Sequence, residues 1–334
     1  MRAIVLAAGL GTRFRPATDG RPKALLPHLN VSLIDRRLAR VRGAGISEIA
    51  VNLHHEGRQI VEHLDELGGD GAAPRFFWEA EILGTAGALR NAARFFGGDD
   101  FLIWNVDAEL DAEIRVLEDV HRSSGAPATL LVVPNPDPSR FTALFADGDR
   151  LAAIGGPGAE PLLFTGVSIH SPRVLPRIGP GFRSLVDDLW RPLLEANETI
   201  RVVRHAGAFS DLGTPGDLLA ASLREIELRE EFEPREGFFD RQKKVLAADP
   251  APPGLLERCV VGRARLDASA RLDRCVVWDG ADVGPGAAAS RCVLGPVRLP
   301  AGREFRDSLL WPGPGGEVRE IPFHGAHRRS PAVK

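Results

Sequence analysis

Leu6-Ala7-Ala8-Gly9-Leu10-Gly11-Thr12-Arg13-Phe14-Arg15-Pro16, and after it Arg21-Pro22-Lys23-Ala24-Leu25-Leu26-Pro27, carry an apolar run into a glycine-bearing loop and on to a lysine framed by prolines. The run from Ile4 reads as a strand ending at Ala8. Glycine at 9 and 11 lets the backbone approach an anion closely and turn successive N–H groups toward it. Arg13 adds a fork of donors and Lys23 a compact point charge, which together suit a triphosphate. A plain strand-to-loop turn would account for the two glycines if they stood alone. The run lacks the G-x-x-x-x-G-K-[ST] of a P-loop, and Phe14 stands where a dinucleotide fingerprint needs its third glycine. It is the proline-lysine segment, at this distance, that turns the reading toward phosphate.

Outward from this loop, residues 1 to about 220 alternate between two kinds of segment. Short β-type runs cover 4–8, 48–53, 75–79, 101–104, 128–133 and 163–170. Between the early ones, Ile34, Leu38 and Val41, then Ile60, Leu64 and Leu67, recur at i, i+4 and i+7 as in an amphipathic helix. Such alternation predicts an α/β fold, a doubly wound and mainly parallel sheet covered by helices, with ligands beyond the carboxyl ends of its strands. With 334 residues, 44% of them hydrophobic and 26% charged, the chain reads as a soluble protein of more than one domain. A net charge of −3 provides no field for nucleic acid or an anionic membrane. No apolar run is long enough to span a bilayer, and the N-terminal run lacks a leader's cleavage pattern. With an odd number of cysteines, three, a reducing cytoplasm is the expected compartment.

The C-terminal part repeats itself. Arg258-Cys259-Val260-Val261 returns as Arg274-Cys275-Val276-Val277, as Arg291-Cys292-Val293-Leu294, and as Asp307-Ser308-Leu309-Leu310, with Trp278 and Trp311 after the second and fourth copies. The period of about 16 residues suits one coil of a β-solenoid. Residues 1–232 are thus expected to form the catalytic domain, 233–254 a linker behind a charged, solvated helix, 255–315 a short β-helix, and 316–334 a tail. The cysteines lack the C-x-x-C pairs of a zinc site and read as a stacked structural ladder. The apolar coils and tryptophans are expected to receive a second subunit.

Gly9-x-Gly11-Thr12-Arg13-x-x-Pro16-x-Thr18, then Pro22-Lys23-x-Leu25-x-Pro27, resembles the signature of the sugar-1-phosphate nucleotidyltransferases. The resemblance covers residues 1 to about 222, and the repeats look like the left-handed β-helix appended to several members, with its hexapeptide pattern degraded. It implies a Rossmann-like domain that binds a nucleoside triphosphate and a sugar-1-phosphate. Arg13 and Lys23 are then catalytic, and Leu6, Ala8, Gly9, Gly11 and Thr12 contact the nucleotide. Glu79 and Gly84-Thr85, in Glu79-Ala80-Glu81-Ile82-Leu83-Gly84-Thr85-Ala86-Gly87, would hold the base, in a version most like that of the guanylyltransferases. A carboxylate suits the N–H edge of guanine, although these glycines also suit close packing alone. Asp107 and Asp211 jointly hold Mg2+ in the family, while Asn105 and Gly166 border the sugar. An aspartate following a strand also serves commonly as a helix N-cap.

Two departures stand out. Val106 occupies a position where the family usually has glycine, and a Glu-Lys-Pro segment whose lysine grips the sugar phosphate is replaced by Ile154-Gly155-Gly156-Pro157-Gly158. Arg140, Arg183 or Arg204 could substitute; muramate-type uridylyltransferases also lack the lysine. The resemblance favours GTP with mannose-1-phosphate, and next UTP with an amino-sugar phosphate. A catalytically weak nucleotide-sugar sensor is a third reading, against which the retained Asp107 and Asp211 speak. An acyltransferase site in the coils is disfavoured because no histidine falls between residues 206 and 323.

Overall fold

The computed structural model describes residues 1–67, 72–250 and 252–323. The chain divides into two compact units. One comprises Met1–Leu10, Pro22–Ala24 and Ile34–Asp211; the other comprises Gly11–Arg21, Leu25–Leu33 and the chain from Leu212 onward. The division falls earlier than the boundary near 232 expected from the charged segment.

The first unit is built on a nine-stranded mixed sheet. In spatial order its strands are Arg75–Trp78, Ile49–Leu53, Arg2–Leu6, Phe101–Asn105, Leu162–His170, Ala128–Pro134, Arg201–Arg204, Arg150–Ile154 and Leu144–Asp147. The first four run parallel, and Leu162–His170 enters antiparallel to both of its neighbours. Side-chain alternation assigns the two faces. Ile4, Ala50, Phe101, Ile103, Ala128 and Leu130 pack with Ala86, Leu89, Phe96, Trp190 and Leu193, from the helical segments at 84–96 and 186–195. On the opposite face the Arg37 guanidinium of helix Leu33–Gly43 lies over the Trp104 ring at 4.7 Å. There too His121 of helix Ile114–Ser124 is 2.8 Å from the Thr129 hydroxyl. Helices therefore cover both faces, as the alternation predicts.

The second unit contains a triangular β-helix. One face stacks Val245–Ala247, Cys259–Val261, Val276–Val277, Val293–Leu294 and Ser308–Pro312; a second stacks Leu255–Glu257, Arg271–Asp273, Ala288–Ser290 and Glu304–Arg306; a third stacks the pairs at 265, 282 and 298. The repeat is explained position by position. Arg258, Arg274, Arg291 and Asp307 take the left-handed corner of each coil, with φ of 51°, 52°, 52° and 51°. The cysteines then point inward with Val261, Val277 and Leu294, while Val260, Val276, Val293 and Leu309 point outward. All three cysteines are without a disulfide and buried, and burial pushes the Cys275 thiol well up.

Three expectations need correction. The stretch read as linker contains Val245–Ala247, a coil in register with Cys259–Val261. Lys244 takes its left-handed corner at φ 53°, and Val245 stands in the cysteine position, a copy too altered to be read as one. Val318–Pro322, within the stretch read as tail, pairs antiparallel with Ser308–Pro312; residues 324–334 lie outside the described residues. The outward row and Trp278 are buried within the chain and Trp311 is half-buried against them, so this face is not the open apolar surface expected to receive a second subunit. Helix Pro215–Leu228 covers them with Leu218, Leu219 and Ile226, together with Phe14, Ala17, Leu26 and Leu29. That helix is accordingly solvated on one side only.

Deep in the first unit, His170 stacks between Phe101 and Trp190, and its Nε2 accepts the indole N–H at 3.1 Å. Burial holds the imidazole down at about 3, with His121 adding a smaller push, against 6.5 for the free group. The folded chain therefore refuses a proton that the unfolded chain accepts below pH 6.5. Stability should fall by roughly 1.4 kcal/mol per pH unit from this group as the pH drops below that value. Denaturant unfolding of wild type and His170→Asn from about pH 7.5 to pH 5 checks this slope: the two curves should converge, whereas parallel curves would contradict it.

Candidate active site

Two aspartates far apart in sequence meet through a short antiparallel ribbon. Ala108–Leu110 pairs with Phe209–Asp211, and the register sets Asp211 opposite Ala108, the residue after Asp107. Both carboxylates consequently line one cavity of about 160 Å3, shared with Asn105, Phe141, Gly166 and Phe209. Asp107 also reaches a neighbouring cavity of about 210 Å3, lined by Leu6, Ala8, Gly9, Lys23, Glu79, Gly84, Thr85 and Asn105. Lys23 Nζ lies 2.5 Å from the Asp107 carboxylate and Arg140 lies 3.7 Å from that of Asp211.

The ribbon is fixed from beneath. Glu109, buried opposite Ser210 and one pair along from the end of the ribbon that carries both aspartates, accepts from Arg36 at 3.0 Å and from Arg37 at 3.1 Å. Burial brings the Arg37 guanidinium down to about 10, offset in part by Glu109. The Trp104 indole beneath it donates to the Ala108 carbonyl at 3.2 Å, closing the turn that carries Asp107.

Most of the site residues expected from sequence are thus gathered in these two adjoining cavities. Gly9 leaves open space, since a Cβ there would meet nothing within 4 Å. Gly166 is a bulge residue at φ +85°, between Phe164 and Ser168 where the strand register shifts, and a Cβ there would stand 2.9 Å from the Asn105 amide. Asn105 Oδ1 is buried without a hydrogen-bond partner among the described residues. Gly11, Thr12 and Arg13 fall in the second unit, where Gly11 at φ 61° opens the turn Thr12–Phe14.

Glu79 is less available than a base-reading side chain would be. One of its oxygens accepts from Asn52 at 2.7 Å and the other from the Leu83 backbone N–H at 2.9 Å. Asn52 in turn accepts from the Ala7 N–H at 2.7 Å, tying the Glu79 loop to the strand end before Gly9. Sequence reasoning missed Asn52, although one polar residue inside the buried strand Ile49–Leu53 was a usable signal. Gly84 and Gly87 serve packing as well: a Cβ at Gly84 would stand 2.5 Å from the Arg183 carbonyl, and one at Gly87 would stand 2.7 Å from the Gly181 carbonyl. Arg183 is held there by its backbone, through Leu83 and Ala86, and its side chain is 3.7 Å from Asp188. Arg204 is exposed at a strand end. Of the three arginines named as substitutes, Arg140 therefore stands at the carboxylate pair. Val106 is buried, lines the larger cavity and donates its N–H to the Leu6 carbonyl at 3.1 Å.

The pattern of the family described as nucleotidyl transferase matches residues 2–154. The N-acetylmuramate alpha-1-phosphate uridylyltransferase of Neisseria meningitidis is 34% identical over 225 residues, covering 64% of this chain and 94% of that protein. The chain belongs to the nucleotidyl transferase family. It is a sugar-1-phosphate nucleotidyltransferase. The mannose-1-phosphate guanylyltransferase of Mycobacterium tuberculosis is 29% identical to the transferase over 292 residues, 84% of this chain and 80% of that one. Its fold is shared by the crystal structure of HddC from Yersinia pseudotuberculosis complexed with GMP-PN, with a TM-score of 0.58 at 20% identity, over 67% of this chain and 98% of that one. Among the described residues no helix is long and apolar enough to cross a membrane.

Because two buried guanidinium groups depend on Glu109, its removal from the transferase leaves charge unmatched in the interior. Glu109→Ala should cost about 3–5 kcal/mol of stability, read as a lowered denaturant midpoint; an unchanged midpoint would contradict the clamp.

Proposed function

We propose that the transferase joins GTP to mannose-1-phosphate, releasing pyrophosphate and a nucleotide sugar. The observation that carries the transfer chemistry is the meeting of Asp107 and Asp211 in one cavity, beside Lys23 and the glycine loop, and the choice of GTP and mannose-1-phosphate rests on the likeness to mannose-1-phosphate guanylyltransferases. A phosphate oxygen of the sugar-1-phosphate attacks the α-phosphorus of the triphosphate, a P–O bond forms, and the bond to the bridging oxygen breaks as pyrophosphate leaves. The attacking oxygen is already ionised, so positioning and charge neutralisation suffice without a general base.

The roles of the residues follow from the signature and its geometry. Lys23 and Arg13 balance charge on the departing pyrophosphate, and Leu6, Ala8, Gly9, Gly11 and Thr12 follow the nucleotide's backbone. Glu79, Gly84 and Thr85 border the base, with Glu79 acting in good part by ordering the loop through Asn52 and Leu83. Asn105 offers its unpartnered Oδ1 to a sugar hydroxyl, and Gly166 leaves room for the ring. Arg140, next to Asp211, takes the part of the missing lysine toward the sugar phosphate.

Asp107 and Asp211 would hold Mg2+. Two carboxylates facing one cavity, each now beside a cation, fit a hard ion that keeps most of its positions for phosphate oxygens and water. Bound there, Mg2+ supplies charge neutralisation between the phosphates. The expected compartment is the cytoplasm, where the three free cysteines stay reduced.

A second reading, UTP with an amino-sugar-1-phosphate, is favoured by the likeness to the N-acetylmuramate alpha-1-phosphate uridylyltransferase of Neisseria meningitidis. Pyrophosphate release with Mg2+, measured across nucleoside triphosphates and sugar-1-phosphates, separates the two. Fastest release with GTP and mannose-1-phosphate is expected; fastest release with UTP and an amino sugar would establish the second reading, and release with no pair would overturn both. On the best pair, Lys23→Ala should lower turnover roughly a hundredfold or more. Arg140→Ala should raise KM for the sugar phosphate more than for the triphosphate, and an unchanged KM would remove Arg140 from the site.

A further inference from the structure

The loop that carries Arg13 is folded into the core of the β-helix unit. Phe14, the next residue, is fully buried, and with Ala17 it shares one apolar cluster with Val260, Val276, Trp278 and Val293 of successive coils. The Gly11 carbonyl closes the loop on itself by accepting from the Phe14 N–H and the Thr18 hydroxyl, each at 2.8 Å. At the loop's far end, Arg21 is attracted by Asp279, which follows Trp278 at the coil edge. The guanidinium of Arg13 is itself bounded by Gly213, where a Cβ would stand 2.8 Å from its terminal nitrogens. Gly213 leads through the Thr214 cap into helix Pro215–Leu228, whose Leu218 and Leu219 lie in the same cluster.

We propose that the outward row of the β-helix, centred on Trp278, and Gly213 act as positioning residues for Arg13, so that the coils set the placement of the phosphate-binding guanidinium. The inference rests on the reading of Arg13 as a phosphate ligand. Its physical basis is that a buried aromatic anchor leaves the adjacent residue few backbone conformations. A charged group displaced by about 1 Å forfeits much of its transition-state stabilisation, up to roughly a hundredfold in rate. The coils thereby acquire a part in the chemistry through the placement of Arg13.

The test is a double-mutant cycle on the full chain, with kcat and KM for the triphosphate read from pyrophosphate release. In the wild-type background, Trp278→Ala and Gly213→Ala should each lower kcat/KM roughly ten- to a hundredfold, and Trp278→Phe should recover most of the loss. In an Arg13→Ala background, neither substitution should cost anything further, because the group they misplace is gone. Equal losses in both backgrounds, or no loss in the wild type, would overturn the proposal. Should Trp278→Ala fail to fold, Gly213→Ala decides alone, since it removes no buried side chain and its clash is with the Arg13 guanidinium. Full activity of Arg13→Ala by itself would instead refute the role given to Arg13, a distinguishable result.

Discussion

The pairing of Ala108–Leu110 with Phe209–Asp211 is the constraint on which the site depends. Without it Asp107 and Asp211 would end separate segments with no reason to converge. Six backbone residues make a weak ribbon, and a two-stranded pair has little stability alone. The sheet compensates from below, through the Trp104 indole on the Ala108 carbonyl and the Glu109 carboxylate buried between Arg36 and Arg37. A buried ion cluster is seldom a net gain in stability over apolar packing. What this one provides is register: a ribbon slipped by one residue would turn Glu109 out of its arginines and the aspartates away from their cavity.

A second constraint works in the β-helix unit. The three cysteine-bearing coils alternate an inward cysteine, an outward valine and an inward apolar residue, and the coils at Val245 and Ser308 keep the alternation with an outward leucine, so the face has apolar side chains on both sides. Such a face must be covered, and helix Pro215–Leu228 with the segments around Phe14 and Leu26 covers it. The cover includes Phe14 and Ala17 of the segment Gly11–Arg21, so that segment and the repeats are parts of one core. That is the reason Trp278 is buried within the chain and Trp311 packs half-buried against the same cluster.

Much of this was legible in the sequence. The strand-helix alternation predicted the sheet and its two covered faces, and the three Arg-Cys-Val repeats with their Asp-Ser-Leu-Leu counterpart predicted the coils. The signature around Gly9, Lys23, Glu79, Asp107 and Gly166 named side chains that the fold does gather. What stayed hidden depends on partners distant in the chain. Asn52 acquires meaning only because Glu79 and Ala7 stand on either side of it. Glu109 acquires its role only because helix Leu33–Gly43 brings Arg36 and Arg37 to it. The coil at Val245 reads Lys244-Val245-Leu246-Ala247, with neither the cysteine of three copies nor the leucine pair and tryptophan that mark the fourth. Periodicity reports which face of an element is buried, but not what buries it, and so Trp278 was read as available to a second chain.

The claim that Asp107 and Asp211 together form the cation site is tested most directly by binding. Mn2+ can be titrated into the protein with GTP present and followed by electron paramagnetic resonance, in wild type, Asp107→Asn and Asp211→Asn. The account predicts a site in the wild type that weakens at least roughly tenfold in each variant and is no weaker in the double variant than a joint site requires. Undiminished Mn2+ binding in either single variant would contradict it.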